Sequence, residues 1–383
     1  MSSPASEQSP LQSDEPAFLF TTCQVGAERT FKAEMARLWP AFHFAFSRPG
    51  FLTFKLPPEH RRSGDETLGS VFARSAGSSL GRVSAVDPEQ AAREVWQLAG
   101  TRPYERLHVW PRDAAEVGHR GYEPGITDLA RAAREAILKQ APAAMPAAQN
   151  LSEPLARPGE LVLDCILVEP DQWWVGFHRA DDPPSCWPGG IFEIDRSREV
   201  ISRAYWKLLE GLAWSKLPSR RGDTWAELGC APGGASQALL DRGYSVIGID
   251  PAEVDPRLAA NPKFTHLRKR SSEVRKRMLR DVKWLAADIN VAPAYTLEAV
   301  EAITTNAAVK LHGVLLTLKL LDWQLAEEIP AYLERIRGWG FDRAEARQLS
   351  HNRQEICVAA WRSDLVRKAP RQPLRHGPRP TRR

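Results

Sequence analysis

The stretch TWAELGCAPGGASQALL, residues 224–240, decides the fold. An apolar strand runs into a glycine-rich turn and the chain restarts as a helix, the layout of a loop that cradles a nucleotide-like ligand. Glycines there admit positive φ and the close approach of a ligand. Gly229, Gly233 and Gly234 are spaced G-x-x-x-G-G, with Cys230 and Pro232 between them, which departs from the dinucleotide pattern G-x-G-x-x-G. No G-K-[ST] follows, so a Walker phosphate loop is excluded. The next apolar strand ends on Asp250, at the place where an acid commonly holds ribose hydroxyls. A ribose-holding acid without a pyrophosphate cradle fits S-adenosyl-L-methionine better than NAD. A purely structural turn is the bland alternative.

Outward from the loop, TWAEL, YSVIGID, VKWLAADI, GVLLTLKLL and EICVAAW read as short apolar strands. Helical spans such as ALLDRG and AEEIPAYLERIRGWG separate them. The alternation predicts a doubly wound, largely parallel, Rossmann-like α/β domain over residues 181–362. Before it, residues 17–56 read as a strand–helix–strand unit, followed by a loop rich in Gly, Ser and Arg. AAREVWQLAG and ITDLARAAREAILKQ read as helices, ERLHVWP as a strand, and ELVLDCILVEPDQWWVGFHRA as two strands about a Pro-Asp turn. The Pro/Ala-rich segment 141–160 reads as a linker or long excursion. Residues 17–180 are thus expected to be an α+β region, with disordered flanks over 1–16 and 363–383.

The 383 residues have room for two or three domains. No apolar run is long enough for a membrane span, and the polar start MSSPASEQSPLQSDEP lacks the features of a secretory signal. Five scattered cysteines with no C-x-x-C pair favour reduced thiols in a cytoplasm over a disulfide framework or a zinc site. The net charge of +5 is unevenly spread. Seven basic residues and no acid follow Leu365, so the rest of the chain is close to neutral. Residues 263–283 hold nine Lys and Arg against Glu273 and Asp281. Such concentrations suit a polyanion, because each neutralised phosphate releases counterions; a solvated face and a frayed tail are the plain alternative.

LGCAPGGASQ resembles the LGAAPGGWSQ loop of FtsJ-type RNA 2'-O-ribose methyltransferases, and SRAYWKLLE is similar to that family's SRA-x-x-KL segment. Downstream, ADIN, LTLKL and HNRQEICVAA follow in the family's order. The resemblance implies a K-D-K-E tetrad at Lys207, Asp288, Lys319 and Glu355. It implies S-adenosyl-L-methionine held by Glu227, Gly229, Cys230, Pro232, Gly233, Gly234, Asp250 and Asp288, with no metal. TTCQVGAERTFKAEM and the stretch from Asp171 to Leu208 are similar to a branch of the family that methylates a cytidine of 23S rRNA. In that branch a THUMP-containing RNA-binding region, of ferredoxin-like α+β character, precedes the catalytic domain. The implied partner is RNA, either 23S rRNA or a ribosomal precursor, and no membrane is involved.

A ribose hydroxyl is a poor nucleophile at neutral pH, so its proton must leave as the methyl group arrives. A lysine serves as base only when neutral, a form that burial and a neighbouring cation favour. Lys319, near the end of an apolar strand, is the candidate base and Lys207 the second cation. Asp288 and Glu355 would orient the lysines and the hydroxyl. Taken singly, a helix lysine is ordinarily a solvated charge and an acid at a strand end ordinarily caps a helix. Lys319 and Glu355 both interrupt apolar strands, where an unpaired charge is costly.

The chain also departs from the family. Ala235 stands where relatives have Trp, and Arg270 stands where they place an adenine-contacting acid, shifting that contact to Ser271, Ser272 or Glu273. These departures leave open a catalytically weak RNA-binding assembly protein, or a methyltransferase acting on another RNA such as tRNA.

Overall fold

The computed structural model describes residues 15–61, 68–142 and 151–364. The flanks expected to be disordered lie almost wholly outside the described residues, as does 143–150 of the Pro/Ala-rich segment. The chain divides into two compact units. One gathers the residues up to Trp214 with Lys319–Glu327 and Arg347–Cys357; the other holds Ser215–Leu318, Glu328–Ala346 and the residues from Val358 onward.

The first sheet has seven strands: β1 (Phe18–Thr22), β2 (His43–Arg48), β3 (Phe51–Lys55), β4 (Ser75–Ser84), β5 (Arg106–Pro111), β6 (Leu161–Glu169) and β7 (Gln172–Arg179). Their order is β2-β3-β1-β4-β7-β6-β5. β5 runs parallel to β6, and the other pairings are antiparallel. Helices α1 (Glu28–Leu38), α2 (Pro88–Ala99) and α3 (Asp128–Lys139) complete an α+β architecture. The Asp87 carboxylate accepts from the Glu89 and Gln90 amides, and the Thr127 hydroxyl from that of Ala130, so α2 and α3 start on side-chain caps. Val95, Trp96 and Ala99 of α2 and Ala130, Ala133 and Ile137 of α3 pack on Leu107, Leu163 and Val175 of the sheet.

Two expectations need correction here. The stretch after β1 and α1 is a hairpin rather than one strand, because Gly50 turns the chain at φ 75° between β2 and β3. The loop expected to be rich in Gly, Ser and Arg contains the ten-residue strand β4, which pairs with both β1 and β7. Its small residues mask strand propensity but serve packing. A Cβ at Gly77 or at Gly176 of β7 would come within 2.7 or 2.6 Å of the buried Phe20 ring, so the ring lies over bare backbone.

The second sheet comprises β8 (Thr224–Leu228), β9 (Ser245–Ile249), β10 (Phe264–Leu267), β11 (Trp284–Asp288), β12 (Gly313–Lys319), β13 (Arg343–Arg347) and β14 (Glu355–Trp361). The order is β10-β9-β8-β11-β12-β14-β13. β8 pairs in parallel with β9 and β11, β9 with β10, and β11 with β12. The helices are α4 (Ala204–Ser215), α5 (Gly234–Asp241), α6 (Pro256–Ala259), α7 (Pro293–Thr304) and α8 (Ile329–Arg337). This is the Rossmann-like α/β layout expected. β10 and β13 escape sequence reading because both are short and rich in polar or charged residues. Trp225 and Trp284, on adjacent strands, stack with ring centroids 5.7 Å apart. Strand order reverses between β8 and β11, and the carboxyl ends of strands at such a switch point form the ligand crevice of an open α/β sheet.

Among the described residues no helix is long and apolar enough to cross a membrane, and all five cysteines are buried free thiols. The packing of Phe20 gives a direct test. Gly176→Ala forces its methyl against Phe20 and against the Ser78 carbonyl oxygen, 2.5 Å away. We expect a loss of about 1–3 kcal/mol, read as a lower urea midpoint at unchanged m-value.

Candidate active site

The glycine loop leaves β8 at the switch point. Gly229 has φ 78°, and a Cβ there would lie 2.9 Å from the Asp288 carbonyl oxygen at the end of β11. Only glycine lets the two strand ends approach so closely, and the bare backbone leaves room for a ligand. The Gly229 amide donates to Ile249 O at 3.0 Å. Asp250 follows β9 and uses both carboxylate oxygens: Oδ2 accepts from the Ala231 amide at 3.1 Å, Oδ1 from the Ala252 amide at 2.8 Å. The acid expected to hold ribose therefore also fixes the loop, and each oxygen retains a second acceptor position. The Ala231–Pro232 peptide is cis, and Pro232 O accepts from the Asp255 amide at 2.9 Å. Gly233 has φ 128° and precedes α5, whose first residue is Gly234.

One loop residue and one strand residue beside it are buried. Cys230 is buried, its thiol pushed upward in pKa by burial and by the nearby Glu227 and Asp250 charges. It packs against Gly248, where a Cβ would meet its sulfur at 2.7 Å. Glu227 is buried on β8 and accepts a short hydrogen bond from the Ser236 hydroxyl of α5. Burial, with smaller contributions from Asp288 and Asp250, raises its pKa to about 8. Asp288 closes β11 and lies opposite Thr317 of β12. Arg270 is exposed ahead of the short turn Ser271–Glu273, and its amide donates to Glu273 Oε2 at 3.1 Å.

Three of the four tetrad residues come together in the other compact unit. Lys207 Nζ of α4 lies 2.8 Å from Glu355 Oε1, and Lys319 Nζ makes a short hydrogen bond to Glu355 Oε2. The Glu355 side chain is 4% exposed, that of Lys207 9% and that of Lys319 16%. One buried carboxylate thus faces two ammonium groups, one per oxygen, and the Arg353 amide adds a contact of 3.3 Å to Oε1.

Sequence reading missed the residues that hold this arrangement. Glu210, one helical turn from Lys207 on α4, is fully buried. It accepts from the Ser350 amide and hydroxyl at 2.7 and 2.6 Å and from the His351 amide at 2.9 Å. Gln24 donates to the carbonyls of Leu349 and Asn352 at 3.0 and 2.6 Å. Glu123 takes a two-pronged bond from Arg203 and faces His351 Nδ1 at 3.4 Å. Although burial opposes it, His351 and Arg203 hold the Glu123 carboxyl down at about 2. Arg203 and Glu210 of SRAYWKLLE, His351 of HNRQE and Gln24 of TTCQVG thus fix the segments that carry Lys207 and Glu355. The available signal was Glu210 at i+3 from Lys207, facing the same side of a helix.

Residues 200–328 match the model of the FtsJ-like methyltransferase family. This part of the chain is similar to that family. The chain is 32% identical over 185 residues to the "Ribosomal RNA large subunit methyltransferase M" of Halorhodospira halophila, covering 47% of this chain and 52% of that one. It is 30% identical over 188 residues to the protein of the same name from Azotobacter vinelandii, and 31% over 196 residues to that from Methylococcus capsulatus. Coverage is 46% and 48% of this chain, and 52% and 53% of the relatives. The chain thus spans about half the length of the curated relatives it matches.

Within the matched residues 200–328, Glu227 titrates in an accessible range. Its folded pKa of about 8 exceeds the usual 4.5, so between those values the folded state holds a proton that the unfolded state has released. Stability from this group is complete below the lower value and declines as pH rises towards 8, with a slope of up to about 1.4 kcal/mol per pH unit. Glu227→Gln keeps a neutral group on Ser236 and should flatten that slope. Thermal unfolding from pH 5 to 8 measures it, and identical slopes in the two proteins would exclude Glu227 as their source.

Proposed function

We propose that this chain is an S-adenosyl-L-methionine-dependent 2'-O-ribose methyltransferase acting on structured RNA, with a cytidine of 23S rRNA, free or in a ribosomal precursor, as its target. The convergence of Lys207 and Lys319 on buried Glu355 carries this reading, in a chain whose residues 200–328 match the FtsJ-like model. The methyl donor supplies an electrophilic carbon on a sulfonium. Gly229, Cys230, Pro232, Gly233, Gly234 and Asp250 would hold it, with Asp288 and Glu227 at the neighbouring strand ends. The bare backbone at Gly229 and the spare acceptor positions on Asp250 fit such a ligand.

Lys319 would take the proton of the ribose hydroxyl as the oxygen bonds to the methyl carbon and the carbon–sulfur bond breaks, its electron pair remaining on sulfur. Lys207 keeps Glu355 compensated on Oε1, so the carboxylate need not be left as an uncompensated buried charge when Lys319 is neutral. Asp288 helps orient the hydroxyl. Residues 17–180 form a THUMP-like RNA-binding region and residues 181–362 the methyltransferase domain, a division suited to cytoplasmic work on a large RNA.

Labelled methyl transfer to a 23S rRNA transcript, followed by mapping of the modified ribose, tests the reading as a whole. Lys319→Ala should lower turnover by about 10²–10⁴-fold and leave methyl-donor binding unchanged by calorimetry. Full turnover in the variant would remove Lys319 as the base.

The basic cluster supports the RNA substrate. Eight of its nine Lys and Arg are exposed, among them Arg275 and Arg277, which pair with no carboxylate of the described residues. Replacing both by Ala should weaken RNA binding and reduce the slope of log K against log salt by about one per lost phosphate contact. Filter binding across a salt series reads this, and an unchanged slope would make the cluster a bystander.

A further inference from the structure

The first sheet buries a group of side chains that methyl transfer does not use. His108 of β5, Asp164 of β6 and His178 of β7 sit on three adjacent strands, with His108 directly opposite Asp164 in the ladder. His108 and Asp164 have no exposure and His178 is 7% exposed. One donor atom from each lies within 4.8 Å of the other two.

The hydrogen bonding of this group is incomplete. His178 Nε2 faces Ser185 O at 2.8 Å and its Nδ1 faces Asp164 Oδ2 at 2.6 Å. Among the described residues Asp164 Oδ1 has no hydrogen-bond partner, and neither ring nitrogen of His108 has one. A histidine kept in a core for packing alone would ordinarily satisfy at least one nitrogen. Here the unused lone pairs belong to an imidazole and a carboxylate that face a second imidazole.

We propose that His108, Asp164 and His178 form a binding site for a zinc-class divalent transition metal that ties β5, β6 and β7 together. Two imidazoles and one carboxylate suit zinc or cobalt and do not suit magnesium or calcium, which take all-oxygen shells. The contact of His178 Nε2 with Ser185 O is the outer hydrogen bond that fixes a metal-bound histidine, leaving Nδ1 to the ion. Metal–ligand bonds of about 2.0–2.2 Å place tetrahedral ligand atoms roughly 3.3 Å apart. Closure therefore requires shifts on the order of an ångström, with the ion taking the place of the proton between His178 and Asp164. Water supplies the fourth ligand by way of the cavity that His178 lines beside Asp181, Asp182 and Ser185. The role is structural, and the site belongs to the first sheet and not to the tetrad.

The test uses the full chain stripped with chelator, then refolded with zinc or cobalt. One equivalent of metal should remain after desalting. The cobalt form should show visible d–d absorption of tetrahedral strength, and zinc should raise the unfolding midpoint by roughly 5–10 °C at a hundredfold excess over Kd. His108→Leu removes a ligand whose nitrogens bond to none of the described residues, so the fold should survive while stoichiometry falls below a tenth and the cobalt bands vanish. Asp164→Asn should lose the bands as well. Failure of the wild type to retain metal, or full retention by His108→Leu with unchanged cobalt spectra, would overturn the proposal. Should His108→Leu fail to fold, absence of cobalt bands in the wild type alone would do so.

Discussion

The arrangement of charges at the tetrad rests on one demand: a carboxylate sealed from water must have each oxygen engaged. Glu355 meets it by taking one lysine per oxygen. An isolated buried charge is costly, so neither lysine is free to wander and α4 is tied to the start of β14 through Lys207. The same logic recurs one turn along α4. Glu210 has no solvent and spends its oxygens on the amides of Ser350 and His351 and the Ser350 hydroxyl, fixing the segment that leads to Glu355.

The glycine loop is governed by a different constraint, the room at a topological switch point. Where β8 and β11 part company, Gly229 has to pass the Asp288 carbonyl without a side chain. Asp250 then accepts from the Ala231 and Ala252 amides, so the acid after β9 is held in place by backbone alone. Pre-fixed acceptors of this kind lessen what binding must spend on ordering.

Much of this was legible in the sequence because it is local. An apolar run ending on glycines, followed by another ending on Asp250, is written in consecutive residues, and the parallel sheet follows from such repeats. β4 was not legible. Its Gly and Ser residues carry little strand preference, and their partners are distant in sequence: Phe20 over Gly77, Thr22 at Ser75 and Trp174 at Ser79. The tetrad residues were found on motif order, whereas Glu210, Gln24 and Glu123 were missed because their partners are backbone amides, carbonyls and side chains more than seventy residues distant. The group His108, Asp164 and His178 is invisible for the same reason. No spacing rule spans three strands separated by a helix and a long connection.

The position of the basic cluster has one more consequence. It begins at β10, the outermost strand of the second sheet, flanked by exposed Lys263 and Arg268. A terminal strand offers unpaired amides and carbonyls to any other strand that drifts alongside, and flanking charge keeps copies of the chain apart. The charges at the two ends of β10 therefore sit where they oppose pairing of that edge with another strand.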